Sequence, residues 1–255
     1  MTPRSAAIAL TASLAAVGVA SGVAAGSGSI SLSPPLLSHT AAVGSVGSMT
    51  VDNGTAQTMK ASVSVHPWLQ GPSGLAAPNT SVSVSDVRLS TSSFTLAAGA
   101  SKVISLALVK VPAQGSLYAN VDVVALPTKR SKTPGAVNFG YRLIGSLRLT
   151  PLHVRFGARV AKVVVRGTHR SGTVALAITN TGNTLASSGG SVFLKGSHAG
   201  ANAVVSPINI VPGATVDAPI YNLKGALPAG RYTVSGPVLM SGHHVANVHI
   251  SFTLR

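Results

Sequence analysis

Apolar and polar residues alternate along most of the chain, and this alternation predicts β-strands. Apolar residues recur at every second position in 61–65, 103–109, 121–126, 174–178 and 248–254. A period of two residues is typical of a strand that buries one of its faces. No segment after residue 25 shows the spacing of an amphipathic helix. The pattern therefore predicts an all-β protein.

Turn-forming residues separate the predicted strands, and they reveal a weak internal repeat. Gly, Asn and Pro mark turns at 52–54, 97–99, 180–183, 211–213 and 227–230. The same order of strand, turn and strand occurs in both halves of the chain. It is found in 48–65 and 94–108 of the first half, and in 173–194 and 208–223 of the second half. We expect two tandem immunoglobulin-like β-sandwiches, in 26–150 and 151–255, each near the size of about 100 residues usual for such domains.

The first 25 residues have the pattern of a secretory signal peptide. A short positive segment ends at Arg4, and residues 5–25 carry no charge and are rich in Ala, Val and Leu. Small residues follow at the expected cleavage point near Ala25. An uncleaved anchor is the alternative, because 21 uncharged residues could cross a bilayer. We expect a secreted or cell-envelope protein, extracellular or periplasmic, whose only membrane contact would be an uncleaved signal segment.

The amino-acid composition limits the kinds of catalytic and metal-binding site that the protein can contain. The 255 residues contain no Cys, and the four acidic residues are all Asp, which excludes disulfides, thiolate metal sites and paired-glutamate catalysis. No G-x-S-x-G or S-x-x-K motif is present. His243 and His249 are about 20 Å apart on one extended strand, too far to share an ion. The sequence predicts no catalytic residue, no metal site, no cofactor and no enzyme activity.

The excess of positive charge is concentrated near the expected domain boundary. The chain has 19 Lys and Arg against 4 Asp, and no acid lies between Asp122 and Asp217. The predicted binding residues of this basic junction are Lys129, Arg130, Lys132, Arg142, Arg148, Arg155, Arg159 and Arg166. An anionic wall polymer or lipid surface would suit them; export and few aromatic residues disfavour nucleic acid. Solubility or life at low pH would also explain the charge.

Several short motifs resemble those of known envelope proteins. One resemblance is to the first domain of periplasmic pilus chaperones. It is seen in residues 116–123, in the basic loop 129–132, in the strand 140–149 before Pro151 and in the turn 94–99. The same layout, with the Asn-Thr-Gly-Asn turn at 180–183, resembles WxL-interacting, peptidoglycan-binding surface proteins. The chaperone resemblance implies a basic residue on the last strand of the first domain, Arg148 or Arg142, that holds a subunit's terminal carboxylate. The first predicted strand, 29–36, contains no matching arginine.

Two binding functions are therefore predicted, and a free-standing structural subunit is the third alternative. The first is a non-enzymatic cell-envelope protein that binds an anionic cell-wall polymer or a surface protein through the basic junction and exposed strand edges. The alternative is a chaperone for the assembly of surface-fibre (pilus) subunits, with a fibre subunit as partner. Trp68 is either a packing residue or a platform for a ligand.

Overall fold

The computed structural model describes residues 28–129, 139–224 and 227–255. The predicted signal peptide, Arg130 and Lys132 lie outside these residues. Within the described ranges the chain forms strands and turns but no helix, so none that could span a membrane. The prediction of an all-β protein is confirmed.

The first sandwich consists of two sheets. Its strands are β1 (Ile30–Ser33), β2 (Leu36–Thr40), β3 (Gly44–Asn53), β4 (Met59–Gln70), β5 (Ala76–Pro78), β6 (Val87–Leu89), β7 (Ser93–Leu96), β8 (Ser101–Leu108), β9 (Leu117–Pro127) and β10 (Tyr141–Thr150). One sheet has the order β1-β3-β8-β6, and the other has the order β2-β10-β9-β4, with β5 and β7 also paired to β4. Neighbouring strands are antiparallel, except that β2 runs parallel to β10.

The second sandwich follows without a long connection. Its strands are β11 (Ala158–Thr168), β12 (Ser171–Asn180), β13 (Ala186–Gly189), β14 (Ser191–Gly196), β15 (Gly200–Val204), β16 (Asn209–Ile210), β17 (Thr215–Leu223), β18 (Gly230–Met240) and β19 (His243–Leu254). One sheet has the order β11-β12-β17, and the other runs β15-β14-β18-β13-β16, with β19 paired to β18. The chain is thus two immunoglobulin-like β-sandwiches in tandem, as predicted.

Each sandwich has its own core, built by the alternation seen in the sequence. In the first domain, Val121 and Val123 of β9 point inward and are fully buried. In the second, Leu176 and Ile178 of β12 do the same. Burying a side chain of this size stabilises the fold by roughly 1.5–3 kcal/mol. The two cores share no residue.

A buried asparagine closes the end of the first core. Asn53, 1% exposed, is the last residue of β3. Its Nδ2 donates to the carbonyl oxygens of Gln57, Leu96 and Ala97 at 2.8, 3.1 and 2.9 Å, and its Oδ1 accepts from the Thr55 amide at 3.1 Å. One side chain therefore ties the turn after β3 to the end of β7.

The second domain repeats this arrangement. Asn180, also 1% exposed, ends β12. Its Nδ2 donates to the carbonyl oxygens of Thr184 and Ile210, both at 2.8 Å, and its Oδ1 accepts from the Gly182 amide at 2.9 Å. Thr184 lies four residues on, as Gln57 does after Asn53. The weak repeat in the sequence thus corresponds to the same hydrogen bonds in both domains.

One glutamine side chain joins the two domains. Gln70, the last residue of β4, donates through Nε2 to the Asn209 carbonyl oxygen at 2.6 Å and accepts through Oε1 from the Val211 amide at 2.9 Å. The Gln70 side-chain amide thus bonds the β16 segment as the main chain of a neighbouring strand would. The same Nε2 donates to the Gly74 carbonyl at 2.8 Å, which fixes the β4–β5 turn.

Three further hydrogen bonds of the described residues cross the domain boundary. The Asp217 amide of β17 donates to the Pro72 carbonyl oxygen at 2.9 Å. The Leu185 amide donates to the Tyr118 hydroxyl at 2.7 Å, and the same hydroxyl lies 3.2 Å from the Thr184 hydroxyl. With Gln70, these contacts hold the β4–β5 turn and the start of β9 against the second domain.

Replacing Asn180 with alanine is expected to destabilise the protein by about 2–4 kcal/mol, because buried carbonyl and amide groups lose their partners. The matched control is Asn222→Ala, at an exposed position of the same sheet, which is expected to change stability by about 0.5 kcal/mol or less. Urea unfolding measures both. Equal losses in the two variants would contradict the role assigned to Asn180.

Replacing Gln70 with alanine is expected to weaken the coupling between domains. The Asn209 carbonyl and the Val211 amide would lose their partners, at a cost of about 1–3 kcal/mol. We expect unfolding to separate into two transitions, one for each core, when followed by calorimetry. The exposed Gln57→Ala variant is the control, because the Gln57 side chain makes no such contact with the second domain. A single unchanged transition in Gln70→Ala would show that this side chain does not couple the domains.

Candidate functional site at the open edge of the first domain

Strand β10 has a paired strand along nearly its whole length on one side, but along only half of its length on the other side. β9 pairs with it from Tyr141 to Leu149. On the other side, β2 pairs only with Ser146 to Thr150. Among the described residues, no strand pairs with 141–145 on that side. This stretch of β10 is an open sheet edge.

The main-chain orientation along this edge follows from two hydrogen bonds to the β2 side. The Ser146 amide donates to the Pro35 carbonyl oxygen at 2.8 Å, and the Ala41 amide donates to the Thr150 carbonyl oxygen at 2.8 Å. Because orientation repeats every second residue, Arg142 and Ile144 direct their N–H and C=O groups the same way. Beyond β2 these groups pair with no other strand of the described chain. β1 lies near β10, and the Tyr141 hydroxyl donates to the Gly28 carbonyl oxygen, but β1 is paired with β3. An edge without a paired strand is a template for an added strand.

The sequence explains why β2 begins where it does. Pro34 and Pro35 separate β1 from β2, and proline supplies no amide to a ladder. Before these prolines, β1 pairs with β3 in the opposite sheet. The chain therefore changes sheets at the prolines and leaves the first half of β10 uncovered. The two prolines could have indicated this open edge from the sequence, whereas the alternation of apolar and polar residues could not.

Three apolar side chains of this part of the chain are exposed. Ile144 is 48% exposed, Leu126 is 55% exposed and Phe139 is 68% exposed. Leu126 lies on β9 and lines a shallow depression of about 260 Å³ with Lys60 and Ser62 of β4, and Phe139 lies near the turn after β3. Of the three, Ile144 alone lies on the open stretch of β10, where an added strand would contact it.

Arg142, one of the predicted binding residues, is engaged by an aspartate on the neighbouring strand. Its Nε lies 2.9 and 3.0 Å from the two carboxylate oxygens of Asp122, and its Nη2 lies 2.5 Å from Oδ2. The hydrogen bond to Asp122, and then its charge, raise the pKa of Arg142 above the ordinary arginine value. Arg142 therefore neutralises a buried carboxylate within the protein.

Arg148 lies at the other end of β10, beside the second domain. Its guanidinium carbon is 5.4 Å from the ring centroid of Trp68, whose ring lies 6.2 Å from that of Tyr118. Trp68 thus supports a cation on its face. The Arg148 Nε and the Trp68 Nε1 are buried, and neither has a hydrogen-bond partner in the described part of the chain.

The predicted basic residues of the first domain are spread along the sheet. Lys129 is exposed just after β9, and Arg142 lies at the start of β10. Arg142 and Arg148 are six residues apart on one strand, which corresponds to about 20 Å. The structure thus places Lys129 after the end of β9, Arg142 on the open stretch of β10 and Arg148 at the junction.

The remaining predicted residues belong to the second domain. Arg155 precedes β11, and Arg159 and Arg166 lie on β11; all three are exposed. The Arg166 Nη2 lies 2.7 Å from Oδ2 of Asp217. Two of the predicted binding residues, Arg142 and Arg166, are therefore paired with aspartates, which a sequence without strand register does not reveal.

Other polar residues have structural contacts that the sequence did not predict. The His66 Nδ1 lies 2.7 Å from the Val82 carbonyl oxygen, and its Nε2 lies 2.8 Å from the Ser64 hydroxyl. Because a carbonyl only accepts, Nδ1 carries the proton. His66 thus fixes the segment that follows β5 against β4. Near the other end of the chain, His243 stacks on Phe156 at 4.2 Å.

The described residues contain no group of three His or Asp side chains placed to hold a metal ion.

No protein-family profile and no curated protein matches this sequence. Solved structures of fimbrial proteins are similar over most of the chain. One is from a chaperone–tip adhesin complex of CFA/I fimbriae biogenesis, with 13% identity, a TM-score of 0.49 and coverage of 89% of this chain and 98% of that chain. Another is the class 5 fimbriae chaperone CfaA, with 11% identity, a TM-score of 0.48 and coverage of 89% and 99%.

A third is from the complex of the Salmonella enterica SafA pilin with the SafB chaperone, with 15% identity, a TM-score of 0.44 and coverage of 89% and 96%. At such values the similarity assigns no function to this chain. The resemblance to WxL-interacting proteins stays a prediction.

Replacing Arg142 with glutamine is expected to destabilise the protein at neutral pH, because the buried Asp122 carboxylate would lose its partner. Urea midpoints at neutral pH give the difference from the unchanged protein. The double variant Asp122→Asn/Arg142→Gln is the control, and it should be more stable than Arg142→Gln, because it leaves no buried charge without a partner. A double variant that is no more stable than Arg142→Gln would contradict the ion-pair explanation.

Proposed function

We propose that this chain is a non-enzymatic envelope protein that binds an extended segment of a partner protein along the open edge of β10. The observation that carries the proposal is the outward orientation of the main-chain groups of Arg142 and Ile144 where β2 is absent. Addition of a strand to such an edge is a common mode of peptide recognition.

The Ile144 side chain supports this mode of binding. It lies on the edge itself and is 48% exposed. Main-chain hydrogen bonds would contribute about 0.5–1.5 kcal/mol each. Burial of the Ile144 side chain would add about 25 cal/mol for each Å² removed from water. Together they suit an extended partner segment that places an apolar residue against Ile144.

We infer that the partner is an incomplete fibre subunit. The support is the sequence resemblance of residues 94–99 and 116–151 to pilus chaperones. We prefer this function for the first domain to wall-polymer binding, because its basic residues do not form one cluster. Arg142 is neutralised by Asp122 and lies about 20 Å from Arg148.

Arg148 is the residue of β10 best placed to meet a carboxylate of the partner. It lies at the junction, it is supported by Trp68, and no described acid pairs with it. The resemblance left Arg148 and Arg142 open for this role, and the ion pair of Arg142 favours Arg148. A charge-assisted hydrogen bond at this position would orient the bound segment.

The test is complex formation with a fibre subunit that lacks one strand, followed by size-exclusion chromatography. Ile144→Pro removes an edge amide that no described residue uses, and Ile144→Asp puts a charge beside the edge while keeping the backbone. We expect each variant to weaken the complex about ten-fold or more. The control is Val103→Asp, at an apolar position of similar exposure, 53%, on β8 of the opposite sheet.

The two Ile144 variants must unfold at the same urea concentration as the control for the comparison to count. Binding that survives both Ile144 variants, or a chain that holds no incomplete subunit, would refute the proposal. Arg148→Ala should weaken binding of a subunit with a free terminal carboxylate more than binding of the amidated subunit.

A further inference from the structure

Strand β11 of the second domain has an outer face with a row of basic side chains. β11 is the edge strand of the sheet β11-β12-β17. It contains Arg159, Lys162 and Arg166, and all three are exposed. This face lies in the other domain from the β10 edge, so a ligand bound on it is independent of strand binding at β10.

A β-bulge places these residues on the same face. Val160 pairs with Ile178, and the next pair is Lys162 with Ala177, so Ala161 is an extra residue. Without the bulge, Arg159 and Lys162 would point to opposite faces, because they are an odd number of residues apart. With it, both lie on the outer face. Val163 points inward and packs against the core.

The row continues toward the junction at Arg155. The Asn183 amide donates to the Arg155 carbonyl oxygen at 3.1 Å, and the Arg155 amide donates to Oδ1 of Asn183 at 2.7 Å. The Thr181 amide donates to the Gly157 carbonyl at 3.0 Å. These contacts keep the register of the β11–β12 pair for four residues beyond Arg159, so the backbone of Arg155 is held in line with the strand.

Most of this charge is not compensated within the protein. Residues 151–255 contain nine Lys and Arg and a single acid, Asp217. Asp217 is bonded by Arg166, which reaches it from β11 across β12. Arg155, Arg159 and Lys162 have no carboxylate partner among the described residues.

The single acid of residues 151–255, Asp217, lies opposite Ala177 on this face and is already bonded by Arg166. The outward residues of β12 include Ala175 and Ala177, which are 3% and 2% exposed. The Arg166 side chain passes over this strand to Asp217, which accounts for part of that burial. Neutral residues beneath long basic side chains leave the potential of the face positive.

We propose that the row Arg155, Arg159 and Lys162 binds an extended anionic polymer of the cell envelope, one with repeated phosphate or carboxylate groups. From the strand register, Arg159 and Lys162 are about 7 Å apart along β11, and Arg155 lies about 14 Å further along. A row of this length along one strand suits a linear chain rather than a compact anion. Multiple contacts of this kind are dominated by charge and weaken with salt.

The test measures binding of long-chain inorganic polyphosphate and of polygalacturonate, with neutral dextran as a blank, at several salt concentrations. The double variant Arg159→Gln/Lys162→Gln is expected to bind the better probe about ten-fold more weakly at low salt, with a shallower salt dependence. Preference for one probe distinguishes phosphate from carboxylate polymers. Arg155→Gln, outside the strand, is expected to weaken binding about three-fold.

The matched control is Arg88→Gln/Lys102→Gln, which removes the same charge from exposed positions of the first domain. It is expected to change the affinity about two-fold or less. Equal weakening in the two double variants would show a general charge attraction and would overturn the site, as would no salt-sensitive binding by the unchanged protein. The Ile144→Pro variant should bind the polymer as the unchanged protein does. The result for polymer binding is therefore independent of the result for strand binding at β10.

Discussion

The ladder between β9 and β10 is the interaction on which the rest of the first domain depends. On its inner side it places Val121 and Val123 in the core. On its outer side it sets Asp122 near Arg142 and Tyr118 beside Arg148. Because the two faces of a strand alternate, the same register also decides which main-chain groups of β10 face β2 and which are left uncovered.

The two domains solve one packing problem in the same way. The end of a sandwich exposes carbonyl and amide groups that a core of Val, Leu and Ile cannot satisfy. Asn53 and Asn180 each supply donors and an acceptor at that point. Gln70 applies the same chemistry between domains, where its amide completes the bonding of β16. Side-chain amides thus replace missing strand neighbours in three places.

Much of the fold could be predicted from the sequence, because alternation and turn residues act over short distances. The strands at 121–126 and 174–178, and the predicted turns at 52–54 and 180–183, lie where the pattern placed them. The candidate site was harder to predict. The partners of Arg142 and Arg166 depend on register across strands, and so does the bulge at Ala161. Counting basic residues along the chain could not separate paired from unpaired charges.

The parallel pairing of β2 has a consequence for selectivity. By occupying Ser146 to Thr150, β2 leaves a five-residue stretch, 141–145, for any added strand, which corresponds to about 17 Å. Main-chain bonds do not distinguish one side chain from another, so a strand added to this edge would be selected by its length more than by its sequence. An edge of this kind would accept unrelated extended segments of a fitting length.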